Sequence, residues 1–280
     1  MIFKTTVLAE GLVFPEGPRW HEDKLWFSDM QLRWVMTVDL KGQLTRVVEV
    51  AHSPSGLGWL PDGRLLVVSM IDRRLLRLDP GGLTEVADLS RLASYHCNDM
   101  VVDHLGRAYI GNFGFDLAYG EEVLPAEIVM VTPEGLAQVV ADQLIFPNGS
   151  VITPDHKTLI VAETLGFRLT AFDIAPDGSL SNRRLWAALE GFHPDGICLD
   201  EAGNIWVAAP EPGLVVCVRE GGEILHEAHV TTRPYACMLG GPDRRTLFVC
   251  TAPRQPDQIR AGVTGRIEMV EVSAAGAGRP

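Results

Sequence analysis

A five-residue pattern occurs six times along the chain, and a recurrence of that length restricts the fold more than any other feature. Its first copy is Glu16-Gly17-Pro18-Arg19-Trp20, preceded by Phe14-Pro15. The echoes open at Ser55, Asn98, Asn148, Asp195 and Tyr235, so the steps are 39, 43, 50, 47 and 40 residues. Each unit carries four short apolar runs with turn residues between them. In the second unit these are residues 56–60, 64–70, 74–79 and 83–87, divided by Pro61-Asp62-Gly63 and Pro80-Gly81-Gly82. The runs 65–68 and 159–162 are almost continuously apolar, as in strands covered on both faces by neighbouring sheets. Four-stranded units of about 40 residues predict an all-β fold, a six-bladed β-propeller with four-stranded blades.

The sixth unit supplies only three strands, the last at residues 265–272, before an Ala/Gly-rich tail over 273–280 that is expected to fray. Residues 3–8 precede the first unit and share the pattern of its fourth strand, residues 44–49. The N-terminal strand is therefore expected to complete the last blade, which removes two exposed sheet edges. The units run from end to end without a break in composition, so residues 1–280 read as a single domain. Trp20, Trp26, Trp59 and Trp206 fall on strand positions that read as core between blades.

With 24 Lys+Arg against 36 Asp+Glu, the net charge of −12 argues against nucleic acid or an anionic membrane as partner. No apolar run approaches the ~20 residues of a membrane span, and the first residues lack the basic and apolar blocks of a signal segment. The five cysteines are odd in number and have no Cys-x-x-Cys spacing. Buried free thiols in a reducing cytoplasm are the expectation.

In a propeller the innermost strands line a central channel, and equivalent positions of different blades meet at one height. Four of the six first positions are Glu16, Asn98, Asn148 and Asp195. Asp, Glu and Asn are common enough to place about one there by chance. Two carboxylates and two amide oxygens form a hard, oxygen-only set of formal charge −2, suited to one divalent cation. A competing reading makes Pro15-Glu16-Gly17, Pro147-Asn148-Gly149 and Pro194-Asp195-Gly196 simple tight turns. It accounts for each alone but not for their shared place in three units.

In combination, Phe14-Pro15-Glu16-Gly17-Pro18, Cys97-Asn98-Asp99, Gly106-Arg107, Phe146-Pro147-Asn148-Gly149 and Pro194-Asp195-Gly196 resemble the motifs of the senescence marker protein (regucalcin), gluconolactonase and luciferin-regenerating enzyme family. Diisopropylfluorophosphatase is a more distant relative. The resemblance implies one divalent metal in the channel, with Glu16, Asn148 and Asp195 as core ligands. Asn98 then completes the coordination or contacts substrate. Calcium leads the candidates, with zinc, manganese, magnesium and iron as the others. Sugar lactonases of this family often carry an arginine two residues before the Asn98 position. His96 stands there in this chain, so the substrate differs or is held differently.

The resulting expectation is a metal-dependent hydrolase that opens a lactone or related cyclic ester with an activated water. Asp195 is the expected base, with His96 and His193 as secondary candidates. Asn98, His96, Phe113 and Tyr235 are the expected substrate contacts. Phosphotriester hydrolysis at the same residues, or calcium binding without catalysis, are the rival functions. The longer loops at 113–124 and 252–264 are candidate lids.

Overall fold

A computed structural model describes residues 1–116, 120–253 and 264–279. Among them the regular structure is strand, apart from one 3-10 turn at Thr164–Gly166. The strands form six sheets arranged as a six-bladed β-propeller. Blade one holds Pro15–His21, Lys24–Asp29, Trp34–Val38 and Leu44–Glu49, each antiparallel to the next. The innermost strands of the following blades are Pro54–Trp59, Cys97–Val102, Pro147–Ile152, Ile197–Leu199 and Arg233–Gly240. Second strands such as Leu65–Ser69 and Ile205–Ala209 are buried at every position, because sheets lie against both of their faces. Outer strands such as Ala137–Leu144 are largely open to water.

The ring closes as the strand count requires, but with a different register. Thr6–Leu12, not residues 3–8, forms the outer strand of blade six, antiparallel to Gly265–Glu271. The preceding Ile2–Lys4 runs parallel to Ile224–His229 and adds a fifth strand to blade five. Thr5 marks the hand-over, donating its hydroxyl to the carbonyl of His229 in blade five and to Glu268 in blade six. One segment thus covers the edges of two adjacent sheets.

The C-terminal tail does not fray. Ile152 N donates to Arg279 O (2.8 Å), Arg279 N returns a bond to Ile152 O (3.0 Å), and Ala277 N donates to Leu199 O (2.9 Å). The tail satisfies backbone groups where the inner strands of blades four and five end. Its glycines permit this approach: a Cβ on Gly278 would stand 2.5 Å from Ile152 O, at a φ of +71°.

Of the tryptophans, Trp206 is fully buried. Trp20, Trp26 and Trp59 lie where blades one, two and six meet, but are only half-buried. Trp20 stacks on Phe248 at 5.4 Å and Trp59 on His21 at 4.1 Å. All five cysteines are buried and free.

Candidate functional site

Two of the three Pro-x-Gly segments are strand, and Pro194-Asp195-Gly196 leads into one. Pro15–His21 and Pro147–Ile152 begin as strands at the proline itself. Each inner strand of blades one to four carries a β-bulge beside its column residue. In blade four Pro147 faces Glu163 and Ser150 faces Val161, which leaves Asn148 and Gly149 in the slip. In blade three the slip falls between Cys97 and Met100, at Asn98 and Asp99. In blade one it follows Glu16 directly. A bulge bends its strand and re-aims a side chain, and here it does so at the same height in successive blades. The glycine answers to crowding around the axis: a Cβ on Gly149 would lie 2.5 Å from Ile197 N, and one on Gly196 2.4 Å from the Ala236 Cβ.

The channel brings most of the expected residues together. Burial raises the Glu16 carboxyl to about 8, Asp99 adds to the effect, and the Gly17 amide and Arg19 oppose it. Burial also holds the Asp195 carboxyl well above the ordinary carboxylate range, followed by the charges of Glu16 and Asp99. Asn148 opposes that shift by hydrogen-bonding Asp195. It also donates Nδ2 to Thr164 Oγ1 (3.1 Å), which in turn donates to Pro194 O (2.8 Å). Burial and then the charges of Asp195 and Glu16 push the Tyr235 phenol up to about 12, and the Tyr235 carbonyl accepts from Gly196 N at 2.8 Å. Asn98 is buried and donates to Pro147 O at 3.5 Å. Among the described residues no three acidic, imidazole or thiol groups gather as a ligand set. The donors assembled here are two carboxylates and the amides beside them.

Aromatic rings border this end of the channel, and several escape a reading of the column alone. Phe14 lies 4.6 Å from Tyr235, Tyr95 stacks on His96 at 4.1 Å, and Phe113 stacks on Phe146 at 4.7 Å. Phe167 meets His193 edge-on at 4.8 Å. Phe14, His96, Phe146 and His193 all stand two residues before a column position, a second periodicity the sequence contains. Burial, followed by the nearby Arg73, lowers the basicity of His96 against the opposing pull of Asp116.

A third column supports the first. The second strands of blades one, three and four end in Asp29, Asn112 and Glu163, all with no exposed surface. Asp29 accepts from the amides of Val13 (2.8 Å) and Phe14 (3.2 Å). Asn112 accepts from Tyr95 N (3.3 Å), and Glu163 from Ile145 N (2.8 Å). Each thereby fixes the loop that delivers Glu16, Asn98 or Asn148. A polar residue ending an apolar second strand, some 13 to 15 places after the column residue, is their sequence signal. Asp99 is paired with the buried Arg19 at 2.6 Å. Of the two candidate lids, residues 117–119 and 254–263 lie outside the described residues.

The chain is 30% identical to the 6-deoxy-6-sulfogluconolactonase of Pseudomonas putida over 254 residues, 88% of this chain and 86% of that protein. It is 30% identical to regucalcin of Danio rerio over 175 residues, a match spanning 61% of this chain and 59% of that relative. The crystal structure of a calcium-binding protein, regucalcin, from Agrobacterium tumefaciens shares the fold with a TM-score of 0.85, at 23% identity, over 100% of this chain and 98% of that one. The model of the SMP-30/gluconolactonase/LRE-like region matches residues 14–253, and the chain belongs to that family.

Proposed function

We propose that this protein is a divalent-cation-dependent hydrolase that opens lactones at the head of its channel, with Glu16, Asn98, Asn148 and Asp195 holding the cation. The observation that carries the reading is the proximity of Glu16 and Asp195, delivered by blades one and five: both half-buried carboxyls are raised, and the charge of Glu16 adds to the shift of Asp195. Two such groups side by side destabilise a protein unless a cation or a shared proton lies between them. Four hard oxygens with formal charge −2 fit calcium best, and the calcium-binding regucalcin of the same fold supports that choice. The name of the P. putida relative supports the lactone.

When bound, the cation polarises the lactone carbonyl and lowers the pKa of a water beside it. Asp195 takes the proton released by the attacking water. It returns that proton to the ring oxygen as the acyl C–O bond breaks, so the product is the open hydroxy acid. Asn148 keeps the Asp195 carboxylate oriented through its hydrogen bond. Asn98 and His96 approach the substrate from blade three, while Phe113 and Tyr235 wall it. The buried free thiols support a reducing compartment, the cytoplasm.

The test is a pH-stat screen of sugar and simple lactones and of phosphotriesters, with chelator and with calcium restored. Lactone turnover is expected to fall to background with chelator and return with calcium. Asp195→Asn should lower it by about 10²–10⁴-fold, the usual contribution of a general base. Bound calcium with every ester untouched would favour a non-catalytic binder. Cleavage of phosphotriesters alone would favour the rival hydrolase.

A further inference from the structure

The opposite end of the channel holds a separate cavity of about 850 Å³, within the range that accommodates a small organic ligand. It lies where the inner strands end: Glu16 stands near the start of the strand whose last residue, His21, lines this cavity. Five residues at ~3.3 Å each put the two sites ~16 Å apart. Arg19 lines it from above, so the Arg19–Asp99 pair stands between the two ends.

Its chemistry is the reverse of the acidic column. Arg244, Arg279, His104 and His156 line it. Among the described residues neither Arg244 nor Arg279 has an ion pair, unlike Arg74, Arg77 and Arg168 on the third strands of blades two and four. The Nε of Arg244 and the Nδ1 of His156 are buried without any hydrogen-bond partner. Two buried polar atoms left unsatisfied beside one cavity are costly unless a ligand or water meets them. The acidic residues of the lining do not neutralise the arginines. Asp103 is bound to Arg107 at 2.6 Å and to the amides of Leu105 and Arg107, and Asp23 is exposed at the rim. His104 and His156 stack at 4.2 Å, and on the other side Trp59 and His21 stack at 4.1 Å, giving a flat wall.

The C-terminal tail completes this cavity. Its paired bonds to Ile152 fix the backbone of Arg279 at the lining, and Gly276 N donates to Arg244 O (2.8 Å), tying the tail to the second arginine. Unpaired guanidinium groups with imidazoles beside them, in a chain of net charge −12, form an electropositive pocket whose forked donors match phosphate and carboxylate oxygens.

We propose that this far cavity binds a small organic anion, a phosphate ester or a carboxylate of monosaccharide size, on Arg244 and Arg279. This does not depend on what the head of the channel catalyses. The test is isothermal titration of the full chain with inorganic phosphate, glucose 6-phosphate and gluconate, at ionic strength held constant with chloride. Saturable binding of at least one anion is expected, weakened tenfold or more in Arg244→Gln and in Arg279→Gln. The anion that binds identifies phosphate or carboxylate as the recognised group. Circular dichroism and thermal melting confirm that the variants are folded. Should a variant fail to fold, competition between phosphate and chloride on the wild-type protein, followed through histidine ring NMR signals, gives the same reading: those of His104 and His156 should shift. No saturable heat with any of the three anions overturns the proposal, as does equal affinity in folded variants and wild type.

Discussion

Arg19 is 3% exposed and donates to Asp99 Oδ1 and the carbonyl of Met100, both at 2.6 Å, and to Leu57 O at 3.1 Å. Removing it would leave Asp99 charged and buried beside Glu16 and Asp195. Arg19→Met is therefore expected to destabilise the fold by about 3–5 kcal/mol, and adding Asp99→Asn to recover part of that loss. Urea midpoints measure it, and an unchanged midpoint would contradict the assignment. Glu163 gives a pH-dependent counterpart. Burial pushes its carboxyl up but is outweighed by hydrogen bonds from Arg168, Thr170 and the Ile145 amide, so its pKa is lowered. A depressed carboxylate stabilises the protein above its unfolded pKa and loses that contribution as pH falls through the folded value. Glu163→Gln should then cost about 1.5–3 kcal/mol at pH 7, with the gap to wild type closing below pH ~4. A gap that persists in acid would place the effect in packing. At this scale the repeat singled out Glu16, Asn98, Asn148 and Asp195 as one column of positions, because it aligns positions without any second sequence. Asp29, Asn112 and Glu163 follow the same period but end apolar strands, where one polar residue reads as the strand giving way to a loop.

The inner strands show what an element contributes that its residues do not. Their bulges fall at Glu16, Asn98 and Asn148, and the buried ends of the second strands hold the approach loops. Asn112→Ala leaves every column residue in place but frees Tyr95 N. It is expected to weaken cation binding about 10–100-fold, in the manner of other supporting partners of metal ligands, as read by isothermal titration. Unchanged affinity would reduce Asn112 to a loop staple. The strand boundaries were largely legible: Leu44–Glu49 and Arg74–Asp79 fall where alternation and turns put them. The N-terminal register was not, since residues 2–10 carry no glycine or proline to mark the change of sheet at Thr5. Leu12 has no exposed surface in that closing strand, and Leu12→Ala should cost about 2–5 kcal/mol in thermal or urea unfolding. The tail misled for a related reason. Its composition offers little to bury, whereas its docking runs through backbone hydrogen bonds and needs small residues.

For the whole molecule, the ring converts residues far apart in sequence into neighbours, and it separates an acidic end from a basic one along a single channel. The six-bladed architecture was legible because repeat period and strand count are properties of the sequence. The far cavity was not, because His104, His156 and Arg244 fall at unequal places in the turns after their inner strands and Arg279 lies in a tail outside the repeat. If the blades and the cation site act as one unit, calcium at 100 times its dissociation constant should stabilise the protein by about 2.7 kcal/mol. Thermal melting with and without chelator measures this, and identical melting temperatures would deny the coupling.

The most direct measurement is anomalous diffraction from a calcium-soaked crystal. Convergent donors predict one strong peak at the head of the channel, ~2.3–2.6 Å from oxygens of Glu16, Asn148 and Asp195. A crystal showing no peak there, or a peak bound by other residues, would contradict the account.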